Sequence, residues 1–439
     1  MGKLVASYIF PHPPMIVPGV GKGKEIYAQK TINAVREAAK DIEGTDFDTI
    51  IVTTPHGIAE NDTVYIAESK YMAGNFKRFG DTKTKLRFEN NVSVARHIIE
   101  CANHENIITE GTGNGINIDE DMELDHGAMV PLYFVAERRS DFKIIHISVP
   151  LLPQDKLYEF GKCVARAVEN SESKAIIIAS GDMSHKLTED APYGYSPYGA
   201  KFDDLVVSSL KSNHIDVLLR ISEDLLENAA QCGLGSFCIM LGANHGIKYR
   251  TDIFSYEGPY GVGYMVAKLN TDPYVMLAMD AVEAYVGSSE IIDAPRDLPT
   301  EMLKDKAGVF VSLKKHGKLR GCIGTTSHTQ KNIAQEIINN AISSATRDPR
   351  FASVIEPELL EIIYSVDVLA SPESIDSVDD LDVKKYGVIV KAGFRTGLLL
   401  PNLEGVETES EQVKIALQKA GIGLNDNYKL QRFEVIRHK

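Results

Sequence analysis

Two histidines sit in matching surroundings. His12 in "FPHPP" and His56 in "TPHG" each follow a proline, and each comes just past an apolar run that reads as a strand. In layered α/β folds, ligands collect beyond the carboxyl ends of the strands. Two such histidines can therefore meet there. Glu257 in "YEGPYGVGY" is a third polar group at a strand end. Two imidazoles and one carboxylate make the facial set that holds ferrous iron and leaves positions open for substrate and O2. His126 in "ELDHGAMVPLYF" precedes a predicted helix start, and His185 in "ASGDMSHK" follows a buried strand. A histidine near a metal can shuttle protons at neutral pH. Asp182, three residues before His185, can orient it; an Asx-turn or a helix N-cap is the structural alternative.

A second group lies in "KLRGCIGTT". Period-two geometry puts Arg320 and Cys322 on one face of a predicted strand, and Gly321 and Gly324 leave the backbone approachable. A guanidinium beside a thiol lowers its pKa and makes it reactive. An Arg in a groove is also a natural partner for a carboxylate or phosphate. The plain alternative is an ordinary strand with a partly buried cysteine.

The elements that must carry these residues follow from the apolar pattern. "KLVASYIF", "DTIIVTTPHG", "FKIIHISVP", "KAIIIASGDMSH" and "VGYMVAKL" read as strands. Between them, 24–43, 91–106, 153–170 and 199–213 read as helices. Strand–helix alternation predicts an α/β layered domain with a central mixed sheet over 1–270. After "LNTDPY" a fresh amphipathic helix begins, so the second domain spans 273–439. It mixes a hairpin turning at His316–Gly317 with helices at 329–346 and 409–420 and with late strands, which predicts an α+β fold.

The 439 residues carry a net charge of −14, which disfavours a broad nucleic-acid-binding face. No stretch approaches a membrane span of about 20 apolar residues. The five cysteines, at 101, 163, 232, 238 and 322, form no C-x-x-C, which fits a reducing cytoplasm. Whether the chain forms a homo-oligomer is left open.

Taken in order, "FPHPP", "TPHG", "DHGAMVPLYF", "SGDMSH" and "YEGPYGVGY" resemble the class III extradiol ring-cleaving dioxygenases, of the protocatechuate 4,5-dioxygenase catalytic-subunit type. The resemblance implies that His12, His56 and Glu257 hold Fe(II). It also implies that His185 is the acid/base and that His126 lies against a catechol-type aromatic substrate that reacts with O2. The eukaryotic Memo protein shares this fold. "QCGLGSFCIMLGANHG" is similar to its stretch around a functional, metal-binding cysteine, and this makes Cys232 the alternative third ligand. From the residues alone, Cys232 reads as a small buried hydrophobe.

"LRGCIG", "NAISSATRDPRF", "YSVDVLASPESI", "YGVIVKAGFRTGLLLP" and "YKLQRFEVI" resemble the AMMECR domain family over 273–439. That resemblance implies a fold and a groove containing Arg320 and Cys322. Prokaryotic relatives of both domains often occur with a radical-SAM protein, which implies such a partner. Two readings therefore stand: a non-haem Fe(II) extradiol dioxygenase-like enzyme with an accessory AMMECR domain, or a Memo-like metal-binding protein that works with a radical-SAM partner without ring cleavage.

Overall fold

The computed structural model describes residues 1–58, 62–113, 121–247, 249–296, 298–315, 317–403 and 405–438. The chain divides into two units, Met1–Thr271 and Asp272–Lys439. Among the described residues no helix is long and apolar enough to cross a membrane.

The strands of the first unit are, in chain order, β1 (Lys3–Phe10), β2 (Thr49–Thr54), β3 (Val64–Ala67), β4 (Tyr71–Asn75), β5 (Lys85–Glu89), β6 (Thr109–Thr112), β7 (Met122–Glu123), β8 (Lys143–Ser148), β9 (Lys174–Ser180), β10 (Arg250–Glu257) and β11 (Tyr264–Asn270). Eight of them form one mixed sheet in the order β10-β11-β1-β9-β2-β8-β3-β6. Its centre is parallel, because β1, β9, β2 and β8 pair in that sense. Parallel strands are covered on both faces, which is why these runs are almost continuously apolar. Successive residues serve opposite sides. Ile51, Ile145 and Ile177 pack on one face with Phe160, Val164 and Phe237. Ile50, Val52 and Ile178 pack on the other with Ile32, Val35 and Phe134. The expected mixed α/β layering is therefore what this unit has.

Local features depart from the sequence reading, which does not include the sheet strands β3 and β6. The helix expected over 24–43 begins with a 3-10 turn, Lys24–Ala28, and becomes α-helical only over Gln29–Glu43. The small sheet β5-β4-β7 was not anticipated. Its strands are short and partly exposed, so their apolar alternation is weak.

The second unit has β12 (Gly308–Lys315), β13 (Lys318–Gly324), β14 (Ile362–Leu369), β15 (Glu373–Ile375), β16 (Tyr386–Ala392), β17 (Arg395–Leu399) and β18 (Lys429–His438), all paired antiparallel. The order is β13-β12-β14-β18-β16-β17, with β15 on β18. Helices Pro273–Ser288 and Ile333–Thr346 cover Val309, Val311, Leu313, Tyr364 and Val366. Helix Glu409–Ala420 covers Val388, Val390 and Leu399. This is the expected α+β arrangement. His316, read as the turn between β12 and β13, lies outside the described residues. The helix expected from 329 begins at Ile333, capped by Asn332. The amides of Thr329 and Gln330 instead bond the buried Glu336 carboxylate, at 2.7 Å each.

Candidate metal centre

Strands β1, β9 and β2 lie side by side and end level, since Phe10 pairs with Ser180 and Thr53 with Ala179. Two residues past these ends stand His12, Asp182 and His56. The chain register thus brings three polar side chains from remote segments to one place. Nε2 of His56 lies 3.0 Å from Nε2 of His12. The His12 amide donates to Asp182 Oδ1 at 2.9 Å. The proline before each histidine has its own φ fixed by its ring and carries no backbone N–H, which stiffens the chain just ahead of His12 and His56.

Cys232 joins from the loop before helix Leu234–Ala243. A Cβ on Gly181 would stand 2.1 Å from Gly233 Cα, so only glycine lets these two backbones approach so closely. The approach is sealed by reciprocal bonds. The Gly233 amide donates to the Asp182 carbonyl at 2.9 Å, and the Asp182 amide donates to Cys232 Sγ at 3.3 Å. Cys232 Sγ lies 3.5 Å from His12 Nε2. His12, His56 and Cys232 therefore offer three ligand atoms within 4.8 Å of one another. Glu257 is engaged elsewhere: its Oε1 accepts from the Thr31 amide and hydroxyl, at 2.7 Å each.

The donor set fits a transition ion. Two imidazole nitrogens about 2.1 Å from one ion, at right angles, would stand about 3 Å apart. Burial, and after it the neighbouring His56 and His126, push His12 well below the ordinary histidine range. Burial and His126 take His56 down to about 4. Both rings are thus neutral at physiological pH, the form that binds metals. Burial, then the Asp182 charge, pushes the Cys232 thiol up, so it keeps its proton until a cation displaces it.

The remaining sequence candidates surround this set. The His126 ring stacks on His56 with centroids 4.2 Å apart, and Phe79 packs edge-on to it at 5.5 Å. Nε2 of His185 is 4.0 Å from Asp182 Oδ2, which is 3.9 Å from His12 Nε2. Burial raises Asp182 to about 7, against the opposing His12 amide. Burial lowers His185, with nearby backbone at Ala230 and Met183 opposing it. Its Nδ1 is buried without a hydrogen-bond partner among the described residues. Tyr193 meets the same ring edge-on at 5.9 Å.

Sequence reasoning passed over a supporting set: Thr54, Asp125, His146 and Ser180. Asp125 caps helix His126–Ala136, accepting from the amides of Gly127 and Ala128 and from the Thr54 hydroxyl. Its other oxygen is 2.7 Å from His146 Nε2. Burial works to raise Asp125, but His146 and these donors hold it well below the usual carboxylate range. Thr54 also accepts from the His56 amide. The one local signal was Asp125 directly before a helix start, which is an N-cap pattern.

In the second unit Arg320 and Cys322 lie two apart on β13, as the period required. The Arg320 fork, however, is closed on Glu358 (3.0 and 2.8 Å) and on the Ala352 carbonyl at 2.8 Å. It is a clamp and not an open anion receptor. A cation bonded to the Cys322 backbone is Arg350, which donates to the Cys322 carbonyl at 3.1 Å and is held by Asp348. Asp348 also accepts from the Cys322 amide at 2.8 Å. The Ser312 hydroxyl donates to Cys322 Sγ at 3.3 Å.

Residues 6–267 match the family model described as the catalytic LigB subunit of aromatic ring-opening dioxygenase, and residues 275–438 match AMMECR1. Protein CA_C1420 of Clostridium acetobutylicum is 42% identical over 466 residues, covering 100% of this chain and 99% of that protein. A Thermotoga maritima protein is 48% identical over 169 residues, covering 38% of this chain and 97% of its own. The crystal structure of protein PH0010 from Pyrococcus horikoshii is 33% identical, with a TM-score of 0.36, covering 37% of this chain and 88% of that one.

Proposed function

Because the chain belongs to the LigB family of aromatic ring-opening dioxygenase catalytic subunits, with an AMMECR1 domain after it, we propose that its first unit is a metal-dependent catalytic domain. Its ion is held by His12, His56 and Cys232. The observation that carries this reading is the cluster of three ligand atoms within 4.8 Å. Two imidazoles with a thiolate make a softer site than two imidazoles with a carboxylate, one that takes Fe(II) and also copper. When bound, such an ion supplies Lewis-acid and redox chemistry at the site. The chain supplies the rest. Asp182 and His185 hold and move a proton beside the ligands, and His126 presents an imidazole face to a small substrate.

The thiol's place favours the Memo-like role over ring cleavage. On this reading the first unit works with a radical-SAM partner, and the AMMECR1 domain is accessory. The five cysteines stand as free thiols, in keeping with the cytoplasmic setting we propose.

Ring cleavage of a catechol-type aromatic by O2, with Fe(II), is the second reading. The family match supports it, as do the stacked His56 and His126 rings with Phe79 edge-on to His126, an aromatic wall that suits a planar substrate. Purified chain loaded with Fe(II) under argon, then mixed with catechols in an oxygen electrode, separates the two. Oxygen uptake with ring-opened product supports the second reading. Stoichiometric metal without uptake supports the first, and absence of metal binding sinks both.

A further inference from the structure

The Ser180 hydroxyl is buried between two groups. It lies 2.9 Å from His12 Nδ1 and 2.5 Å from the Gly127 carbonyl oxygen. A carbonyl can only accept, so the one hydroxyl proton goes to Gly127. Ser180 Oγ is then an acceptor toward His12, and His12 Nδ1 must carry a proton. A neutral imidazole has one N–H, so Nε2 is left with its lone pair, facing His56 Nε2 and Cys232 Sγ.

The Gly127 carbonyl is available for a reason written in the sequence. In an α-helix, the carbonyl of residue i accepts from the amide of residue i+4. Gly127 lies in helix His126–Ala136, and the residue four places on is Pro131, which has no N–H. The proline removes the helical donor, and Ser180 replaces it. Gly127 itself leaves room for Thr54, since a Cβ there would stand 2.3 Å from Thr54 Oγ1.

We infer that Ser180, anchored on the carbonyl that Pro131 leaves unbonded, is a positioning residue that fixes His12 as the Nδ1–H tautomer and presents Nε2 to the metal. This rests on the reading of His12 as a ligand. The hydrogen bond made by the non-ligating nitrogen sets ring orientation and ligand basicity at metal sites, and losing it costs about 10- to 100-fold in affinity. In the metal-free chain the 3.0 Å contact then requires the opposite tautomer of His56, which donates through Nε2–H.

Long-range 1H–15N NMR of metal-free, 15N-histidine-labelled full chain reads both tautomers directly. His12 is expected as Nδ1–H and His56 as Nε2–H; His12 found as Nε2–H overturns the inference. In Ser180→Ala the His12 signal should shift toward the Nε2–H form, and Co(II), titrated by its visible spectrum, should bind about 10- to 100-fold more weakly. An unchanged tautomer, or a Co(II) affinity within about twofold of the parent, overturns it. If Ser180→Ala does not fold, the parent tautomer decides alone. A parent chain that takes no Co(II) at all sinks the metal reading, while the tautomer still judges the relay.

Discussion

The Cys232 sulfur lies 3.5 Å from Nε2 of His12. That contact sets a soft donor beside the histidine pair, on the side of His12 that Ser180 leaves unprotonated. It divides the two candidate third ligands. Cys232→Ser is expected to lose most bound Fe(II), as is either His12→Ala or His56→Ala. Glu257→Ala is expected to keep its metal but to melt lower, since it loosens Thr31 at the start of helix Gln29–Glu43. Metal analysis of the purified variants checks this; a metal-free Glu257→Ala with metal-replete Cys232→Ser would restore the carboxylate set.

His185 faces Asp182 and lies outside the three-donor group. His185→Ala should therefore retain stoichiometric iron. Any turnover found should fall by about 10²-fold or more, the range for loss of a general acid or base. Loss of metal in that variant would make His185 a ligand.

Asp203 is fully buried, accepting from the Ser184 amide at 2.8 Å and the Tyr256 hydroxyl at 2.6 Å. Burial raises its carboxyl to about 6, above the unfolded value of about 3.9. Its stabilising contribution is full below the unfolded value and is lost as pH rises through about 6. Asp203→Asn stays neutral, so its stability relative to the parent should climb from pH 4 to pH 8, by on the order of 3 kcal/mol. Urea unfolding across that range measures it, and a flat difference refutes the account.

Arg320→Ala leaves Glu358 with Lys315 and the Ile355 amide as partners and removes the clamp on the Ala352 carbonyl. We expect a loss of about 2 kcal/mol in stability, the scale of hydrogen bonds to charged groups. Labelling of Cys322 by a thiol reagent should be unaffected by that change and slowed by Arg350→Ala, because the Arg350 guanidinium bonds the Cys322 backbone while Arg320 is closed on Glu358. If Arg320→Ala slows labelling instead, Arg320 is the activating cation.

The sequence by itself determined the layering of the first unit, the α+β character of the second, and the two proline-flanked histidines at strand ends. Apolar period and proline chemistry are local, and each acts within a few residues of where it is read. Even the Ser180 relay has a local half, in the four-residue spacing of Gly127 and Pro131. Only the tertiary structure decided what meets His12. Cys232 is 220 residues away from it, and Glu257 is 226 residues from the Thr31 that holds it. Those contacts depend on the side-by-side order β1-β9-β2 and on the close approach of Gly181 to Gly233. No local pattern encodes either, because strand order follows from how whole faces pack and not from any one segment. The same holds for Arg320, whose place on its strand was legible while its partner Glu358, on a separate turn 38 residues on, was not.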